Sequence, residues 1–296
     1  MKWILGFAAL LSVSLAQAAL TLGTYNIRNF DYDERERINT NKPALESILK
    51  GLRFDLLGVN EINNVAEFNS FIGRRMVGYD VTLSNCGGAH GQHLGFVYNK
   101  AKLKLVSFTE EMQFSGEGNG GGCFAGSRPA AVGLFEEIST RERFYAIQLH
   151  LKSGSNADSI QKRTRQYQQL QQLVKKLVAS GVANVVAMGD MNTTGYVLRD
   201  EDYKRFTTMV TNAGLNDLSK NIGCSAYWWG GSEDGIESPS LLDHVLATGP
   251  MLKNKPAAST VGAHCKAVSC REASPAQLGV SYTGVSDHCP QTATIR

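Results

Sequence analysis

The chain of 296 residues has no Cys-x-x-Cys pair, no Gly-Lys-Ser/Thr triplet and no Pro-rich stretch among its 7 prolines. The first absence removes the usual zinc-ribbon and thioredoxin-like spacings. The second means that the Gly-rich stretch Ser115 to Gly122, the most flexible part of the sequence, is not a phosphate-binding P-loop. The third, with no internal repeat of fixed period, leaves no linker and favours one domain. Beyond Val13 no apolar run is long enough to cross a bilayer. Charge of one sign is scarce too. The formal net charge is only +3, which permits a phosphate-rich partner without arguing for one.

What is present is a globular composition, 43% hydrophobic and 19% charged. The N-terminus reads differently from the rest. Lys2 is a short basic region, Trp3 to Val13 is apolar, and Ala16-Gln17-Ala18 has small residues at the cleavage spacing of a signal peptide. The expectation is a signal peptide over 1–18, a mature domain over 19–296, and a secreted or periplasmic protein. The alternative is a buried N-terminal helix. Six cysteines, Cys86, Cys123, Cys224, Cys265, Cys270 and Cys289, make an even count that suits disulfides in an exported chain. Sequence cannot choose among the pairings. Cys86 and Cys123 both lie in Gly-rich loops and are a candidate pair, and Cys265 with Cys270 would close a small loop. His264-Cys265 is thin support for zinc instead.

Apolar runs rich in β-branched residues alternate with helical periodicity. Val185 to Met188 is a buried strand that ends at once in Gly189-Asp190-Met191-Asn192. Further strands are expected over Leu20 to Tyr25, Asp55 to Asn60, Tyr79 to Leu83, Leu94 to Tyr98, Leu103 to Phe108, Ala130 to Phe135, Arg143 to Leu149, Ala226 to Trp229, Leu241 to Leu246 and Thr292 to Ile295. Helices are expected from Pro43 to Gly51, Asn64 to Met76, Asp158 to Ser180 and Glu201 to Ala213. In the third of these, Ile160, Tyr167, Leu170, Leu173, Val174, Leu177 and Val178 share a face. Asp31 to Asn41 reads as a charged loop. The expected fold is α/β, with two sheets packed face to face and helices outside.

Polar residues recur at the strand ends: Asn26, Glu61, His150, Asp190 with Asn192, Asp243, and Asp287 with His288. Loops at such ends are exposed and held by a rigid scaffold, so function collects there. Each residue alone has a plainer explanation. Asp190 and Asn192 suit an Asx-type turn, Glu61 suits the start of a helix, and a single buried histidine is commonly structural. Asp243 is harder to dismiss. A carboxylate in an apolar run needs a partner, and His288 is available.

Together these segments resemble the endonuclease/exonuclease/phosphatase superfamily, from Tyr25 to the C-terminus. The resemblance rests on Thr24-Tyr25-Asn26-Ile27-Arg28, Val59-Asn60-Glu61-Ile62, Ser127-Arg128-Pro129, Leu149-His150-Leu151-Lys152-Ser153, Met188-Gly189-Asp190-Met191-Asn192, Leu242-Asp243-His244-Val245 and Ser286-Asp287-His288. It implies a four-layer α/β sandwich of two mixed sheets, with the site at one sheet edge. It also implies phosphodiester hydrolysis with Mg²⁺, or with Mn²⁺ or Ca²⁺ in its place. Glu61 and Asp287 would hold the metal, and Asp190, with Asn192, would orient and deprotonate water. His288, oriented by Asp243, would donate to the phosphate. His150 would serve the other side, and Asn26, Arg28 and Arg128 would bind substrate.

Asn26-Ile27-Arg28 and His150 resemble the deoxyribonuclease-I-like branch. That branch pairs its first histidine with a Glu just before the strand at Leu94. Here Gln92 and His93 stand there, so Gln92 would orient His150 without a charge. The expected partner is nucleic acid, chiefly double-stranded DNA, bound by a monomer. Lys152, Lys162, Arg163 and Arg165 would line the DNA groove or simply form a solvated helix face.

Two rivals remain. An exported lipid phosphodiesterase of the sphingomyelinase type would expose Trp228 and Trp229 on a projecting hairpin. A non-catalytic binding module on the same fold would be expected to lack part of the polar set. Finally, Asn192-Thr193-Thr194 matches a glycosylation sequon, which an active-site position for Asn192 would contradict.

Overall fold

A computed structural model describes residues 19–116, 123, 126–253 and 256–295. The expected signal peptide, and the Gly-rich stretch from residue 117 to 122, lie outside the described residues. The first described element is β1 (Leu20–Phe30), which runs five residues past its expected end, through Asn26. The charged segment read as a loop holds a small ribbon, β2 (Tyr32–Asp33) with β3 (Ile38–Asn39). Then come α1 (Lys42–Leu52), capped by Asn41 and opened by Pro43, β4 (Leu56–Ile62), and α2 (Val65–Arg75), capped by Asn64. They are followed by β5 (Tyr79–Leu83), β6 (His93–Asn99), β7 (Leu103–Glu111), β8 (Ala130–Glu137) and β9 (Arg143–His150).

The long helix α3 (Ala157–Ala179) leads to β10 (Val185–Asp190), α4 (Glu201–Asn212) and β11 (Leu215–Asp217). A hairpin of β12 (Ala226–Trp228) and β13 (Ser238–Ser240) precedes β14 (Asp243–Thr248). That strand starts two residues later than the apolar run suggests, so Asp243 stands at its first position. The chain closes with β15 (Ser259–Val261), three short helices α5 (Ala263–Ala267), α6 (Pro275–Leu278) and α7 (Val280–Thr283), and β16 (Gln291–Ile295).

Two six-stranded sheets result, in the orders β15-β16-β1-β4-β6-β5 and β11-β14-β10-β9-β8-β7. Each has one parallel pair at its centre, β1 with β4 and β9 with β10, and antiparallel neighbours around it. Strand alternation sorts the side chains. Leu22, Leu56, Phe96, Ala146, Val186, Met188 and Val245 fill one core between the sheets. Tyr25, Leu57 and Val59 face the other way, against Leu45 and Leu49 of α1 and Phe68, Phe71 and Ile72 of α2. Ile147, Leu149, Val185 and Ala187 do the same under Tyr167, Leu170, Leu173 and Val174 of α3 and Phe206 of α4. The molecule is therefore the four-layer α/β sandwich expected. No described helix is long and apolar enough to cross a membrane.

Polar side chains set the two sheets in register at one end. Gln148 on β9 donates to Thr24 Oγ1 at 3.1 Å and to Asn60 Oδ1, and Asn60 donates to the carbonyl of Leu149 at 3.0 Å. Gly58 makes room for Gln148, because a Cβ there would lie 1.7 Å from its Oε1. All of these groups are buried, so each bond also removes an unpaired polar atom from the core.

The disulfides are Cys86–Cys123, Cys224–Cys270 and Cys265–Cys289, with Cα separations of 5.1, 5.5 and 6.1 Å. The first is the candidate pair. Cys265 does not close a loop with Cys270, because that cysteine turns toward Cys224. The Cys265–Cys289 bond also takes up the thiols that a zinc ion beside His264 would need.

Candidate active site

The alternation that fills the inter-sheet core turns polar at its upper end. Asn26, His150, Asp190 and Asp243 share the strand face that carries Leu22, Ala146, Met188 and Val245 lower down. Because the two sheets face each other, these side chains meet. Asn26 Nδ2 donates to Asp190 Oδ2 at 3.2 Å across the sheets. His150 Nε2 lies 3.5 Å from that same oxygen, and His288 Nε2 lies 3.7 Å from it.

Glu61 joins them by a break in its strand. The register of β4 shifts between Val59 and Ile62, and Glu61 adopts φ 61°. A left-handed backbone is uncommon for a glutamate and marks local strain. It brings Oε1 to 3.0 Å from Asn26 Nδ2 and 3.6 Å from His150 Nε2, while Oε2 accepts from the Asn29 backbone at 3.1 Å.

Asp243 and His288 form a second unit. Oδ2 of Asp243 faces Nδ1 of His288 at 2.7 Å and accepts from the Ser225 hydroxyl at 2.8 Å. Ser225 in turn accepts from the backbone amides of Leu242 and Asp243. Ser286 accepts from the His288 amide and donates to the carbonyl of Asn26 at 2.7 Å. Both serines are fully buried. No local pattern marks their roles, although Ser286 stands inside the Ser286-Asp287-His288 motif.

Asn192 donates its amide N–H to Asp190 Oδ1 at 2.9 Å and its side chain to the carbonyl of Leu151 at 3.0 Å. It is buried, so the sequon around it is a chance match. Asp287 is half-buried beside Glu61, and its carbonyl accepts from the Tyr227 amide. Arg128 is half-buried, with its Nε enclosed and unpaired and with Glu61 and Asp190 as its acidic neighbours. Arg28 turns to Asp33, 3.5 Å away, and to the carbonyl of Thr283. Its assignment to substrate competes with these partners.

The electrostatics follow from burial and from which charges face each group. Burial raises the pKa of Glu61, Asp287 raises it further, and the Asn26 hydrogen bond offsets part of this. Burial also pushes Asp190 up to about 7, against the pull of His288. The two histidines split. Burial, then Arg128 and His288, hold His150 well below the usual 6.5, so it is neutral. Burial acts against His288 as well, but Asp243 and Asp190 outweigh it and hold it well above 6.5, so it carries a proton.

The structure departs from two sequence expectations. Gln92 does not orient His150. It donates to Asn29 Oδ1 at 2.7 Å, and Nδ1 of His150 is enclosed without a partner. Arg163 does not line a groove. It is wholly buried and paired with Asp202 at 2.8 Å. Its position three residues after Ile160 and four before Tyr167 puts it on the apolar stripe of α3, a signal present in the sequence. The tryptophans are exposed, Trp228 by 47% and Trp229 by 53%, where β12 ends and the loop to β13 begins, and Tyr227 before them is buried.

The donor set has the chemistry of a divalent-cation site. Glu61, Asp190, Asp243 and Asp287 place four carboxylates around two cationic groups, Arg128 and His288. Two of these, Asp190 and Asp243, are buried and two are half-buried, and carboxylates gathered in such excess favour a counter-charge. Carboxylate oxygens suit a hard cation such as Mg²⁺. Oxygen atoms of Asp190 and Asp243 also come within 4.8 Å of a nitrogen of His288. Those atoms are engaged with one another; the other two carboxylates, Glu61 and Asp287, could hold the cation, with Glu61 exchanging the hydrogen bonds it accepts from Asn26 and Asn29.

Among solved structures, TDP2 from D. rerio with a single-stranded DNA product is 19% identical over 94% of this chain and 99% of its own, with a TM-score of 0.65. The human Nocturnin catalytic domain with bound sulfate is 16% identical over 94% of each chain, with a TM-score of 0.62. A Bacteroides thetaiotaomicron mannosyl-6-phosphatase is 16% identical over 94% of this chain and all of its own, also at 0.62. A comparison with curated protein sequences gives no match. At these identities the likeness establishes the fold. Residues 23–288 match the sequence pattern that defines a family, and on that match the chain belongs to the Endonuclease/Exonuclease/phosphatase family.

Proposed function

We propose that the protein is an exported, metal-dependent phosphodiesterase that acts as a monomeric endonuclease on DNA, double-stranded DNA above all, and on RNA as a lesser substrate. The observation that carries this is the convergence of Asn26, His150 and His288 on one oxygen of Asp190, with Glu61 beside them. A carboxylate held near neutrality is suited to take a proton from water. Asn26 and the Asn192 amide fix its direction. His288, charged and anchored on Asp243, donates to the phosphate oxygen or to the leaving group. His150, neutral, accepts or donates a hydrogen bond from the other side.

Arg128 neutralises phosphate charge. Glu61 and Asp287 would hold Mg²⁺, with Mn²⁺ or Ca²⁺ as substitutes. Such a cation supplies Lewis acidity at the phosphoryl oxygens. Attack by water on phosphorus with loss of the 3′ oxygen leaves 5′-phosphate and 3′-hydroxyl ends. Export is supported by three disulfides among six cysteines.

One observation favours a second reading. Exposed Trp228 and Trp229 on a hairpin are what a sphingomyelinase-type enzyme would use to enter a lipid surface. The test is plasmid nicking with Mg²⁺, with chelator, and with Asp190→Asn. Conversion of supercoiled to open-circle DNA that both controls abolish supports the endonuclease. A folded, Mg²⁺-treated protein that leaves the plasmid intact but hydrolyses sphingomyelin supports the lipid enzyme. One that hydrolyses neither would be a binding module.

A further inference from the structure

β9 and β10 end in His150 and Asp190, and the loops that follow them, the second carrying Asn192, are tied to each other. Leu151 donates to the carbonyl of Asp190 at 2.9 Å, and Asn192 donates to the carbonyl of Leu151 at 3.0 Å. Both loops are also gripped from below by α3. Arg163 Nη1 donates to the carbonyls of Lys152 at 2.6 Å and Gly154 at 2.9 Å, and Nη2 donates to Thr194 Oγ1 at 3.1 Å. Its Nε and Nη2 are fixed by Asp202 on α4, at 3.2 and 2.8 Å. Two neighbours on the same helix face extend the grip. Gln166 accepts from the Lys152 amide at 2.8 Å, and the Tyr167 hydroxyl meets Thr193 Oγ1 at 3.0 Å.

We propose that Arg163 is a positioning residue: held by Asp202, it clamps the His150 loop to the Asp190–Asn192 loop and so sets the distance between imidazole and carboxylate. The inference rests on the catalytic reading given above.

A guanidinium suits this task. It offers five donors in a rigid planar fork, and it keeps its charge when buried. A lysine would pair with Asp202 but could not reach two carbonyls and a hydroxyl in one plane. The clamp explains a fully buried arginine, the one charged side chain on a buried helix face that otherwise carries Ser159, Gln166, Tyr167, leucines and a valine. An ion pair is an expensive way to fill that position, and apolar residues of similar volume often stabilise as well or better. What the arginine adds is the simultaneous hold on two loops. It also accounts for Thr194, an exposed residue whose hydroxyl is nonetheless directed to the clamp.

The experiment uses the full mature chain with Mg²⁺ and bis(p-nitrophenyl) phosphate, a small diester that needs no groove. Arg163→Lys and Thr194→Val are compared with Leu173→Ala, a core truncation on the same helix far from either loop. Melting curves define the folded fraction at the assay temperature. The expected result is a fall in kcat of roughly ten- to a hundredfold in Arg163→Lys, and a smaller fall of the same kind in Thr194→Val, since misplacement of catalytic groups by about an ångström acts on that scale. KM stays within about twofold of wild type. Leu173→Ala loses melting temperature but keeps kcat per folded molecule.

Activity losses in Arg163→Lys that merely track its folded fraction, as in Leu173→Ala, overturn the inference. So does an unchanged kcat in both clamp variants. A wild-type protein that hydrolyses no phosphodiester overturns the catalytic reading instead, and the two failures are told apart by that control.

Discussion

His288 Nδ1 lies 2.7 Å from Oδ2 of Asp243, and both residues are buried. This contact, with Asp190 beyond it, fixes the charge of the imidazole. The pKa of His288 is raised well above 6.5 although burial opposes the charge. A histidine raised on folding stabilises the fold fully below its unfolded value. That stabilisation is lost as pH climbs through the folded value. In chelator, the melting temperature should therefore fall as pH rises above 6.5, and Asp243→Asn should flatten that fall. Thermal melts across the window from about pH 6 to about pH 9 read it directly. A wild-type curve no steeper than the variant's would remove the pair as its source.

Asp190 predicts the opposite pairing of activity and stability. Burial raises it from 3.8 to about 7, so its charged form costs the fold stability as pH rises across that interval. Asp190→Asn should lower kcat by about a hundredfold to ten-thousandfold. In chelator it should also melt higher than wild type above pH 7, with the gap closing toward pH 4. Calorimetry and a diester assay on one preparation check both halves. A variant that melts lower at every pH would show that the carboxylate is a net stabiliser.

Metal dependence should trace to Glu61. At an Mg²⁺ concentration about a hundredfold above Kd, binding adds about 2.7 kcal/mol to stability and raises the melting temperature. Glu61→Gln should erase that rise and the activity together, while Arg128→Met keeps the rise. Differential scanning fluorimetry with and without Mg²⁺ distinguishes them.

Arg128 depends on a glycine distant in sequence. Gly88 adopts φ 68°, and a Cβ there would lie 2.9 Å from the Gly126 carbonyl and 3.1 Å from the Arg128 nitrogen. Both are backbone atoms with little freedom to give. Gly88→Ala should shift the Arg128 segment and raise KM on the order of tenfold, the scale of one charge-assisted hydrogen bond, with a smaller change in kcat. Steady-state kinetics on a diester separate the two.

The tryptophan pair separates substrates. Trp228 and Trp229 are each about half exposed and lie outside the core clusters, so replacing both with alanine should leave the protein folded. Binding of phosphatidylcholine–sphingomyelin vesicles should vanish in that variant if the hairpin meets lipid. Single-stranded DNA affinity should weaken instead if it stacks on bases, by about 1–3 kcal/mol per base. Sedimentation with vesicles and fluorescence titration with an oligonucleotide give the two outcomes.

Much of this architecture was legible because strand ends announce themselves. An apolar run that stops at Glu61, His150 or Asp190 leaves few places for the side chain, and the two-sheet sandwich brings those places together. What was not legible depends on neighbours from elsewhere in the chain. Asp243 starts β14 because Ser225 holds its amide, which no local pattern shows. Cys270 pairs with Cys224 because the hairpin and the loop after α5 meet in space. Arg163 is hard to place from sequence for a different reason. Its charge outweighed its position on the apolar stripe, and only the facing Asp202 reveals why an arginine belongs there. Gln92 stands where a partner for His150 was expected, yet the left-handed turn at Asn29 gives it a nearer acceptor.

Ser286 bonds to the carbonyl of Asn26 across 260 residues, and β1 lies between β16 and β4. The centre is thus a seam where the earliest strand receives the latest. Contacts of such long range also form slowly, since a large loop must close before they contribute. A polypeptide cut short of Ser286 leaves Asn26 and Glu61 without His288, Asp287 or the sheet edge that carries them. On the proposed reading, a chain that stops short of this seam would carry half a candidate site and no activity.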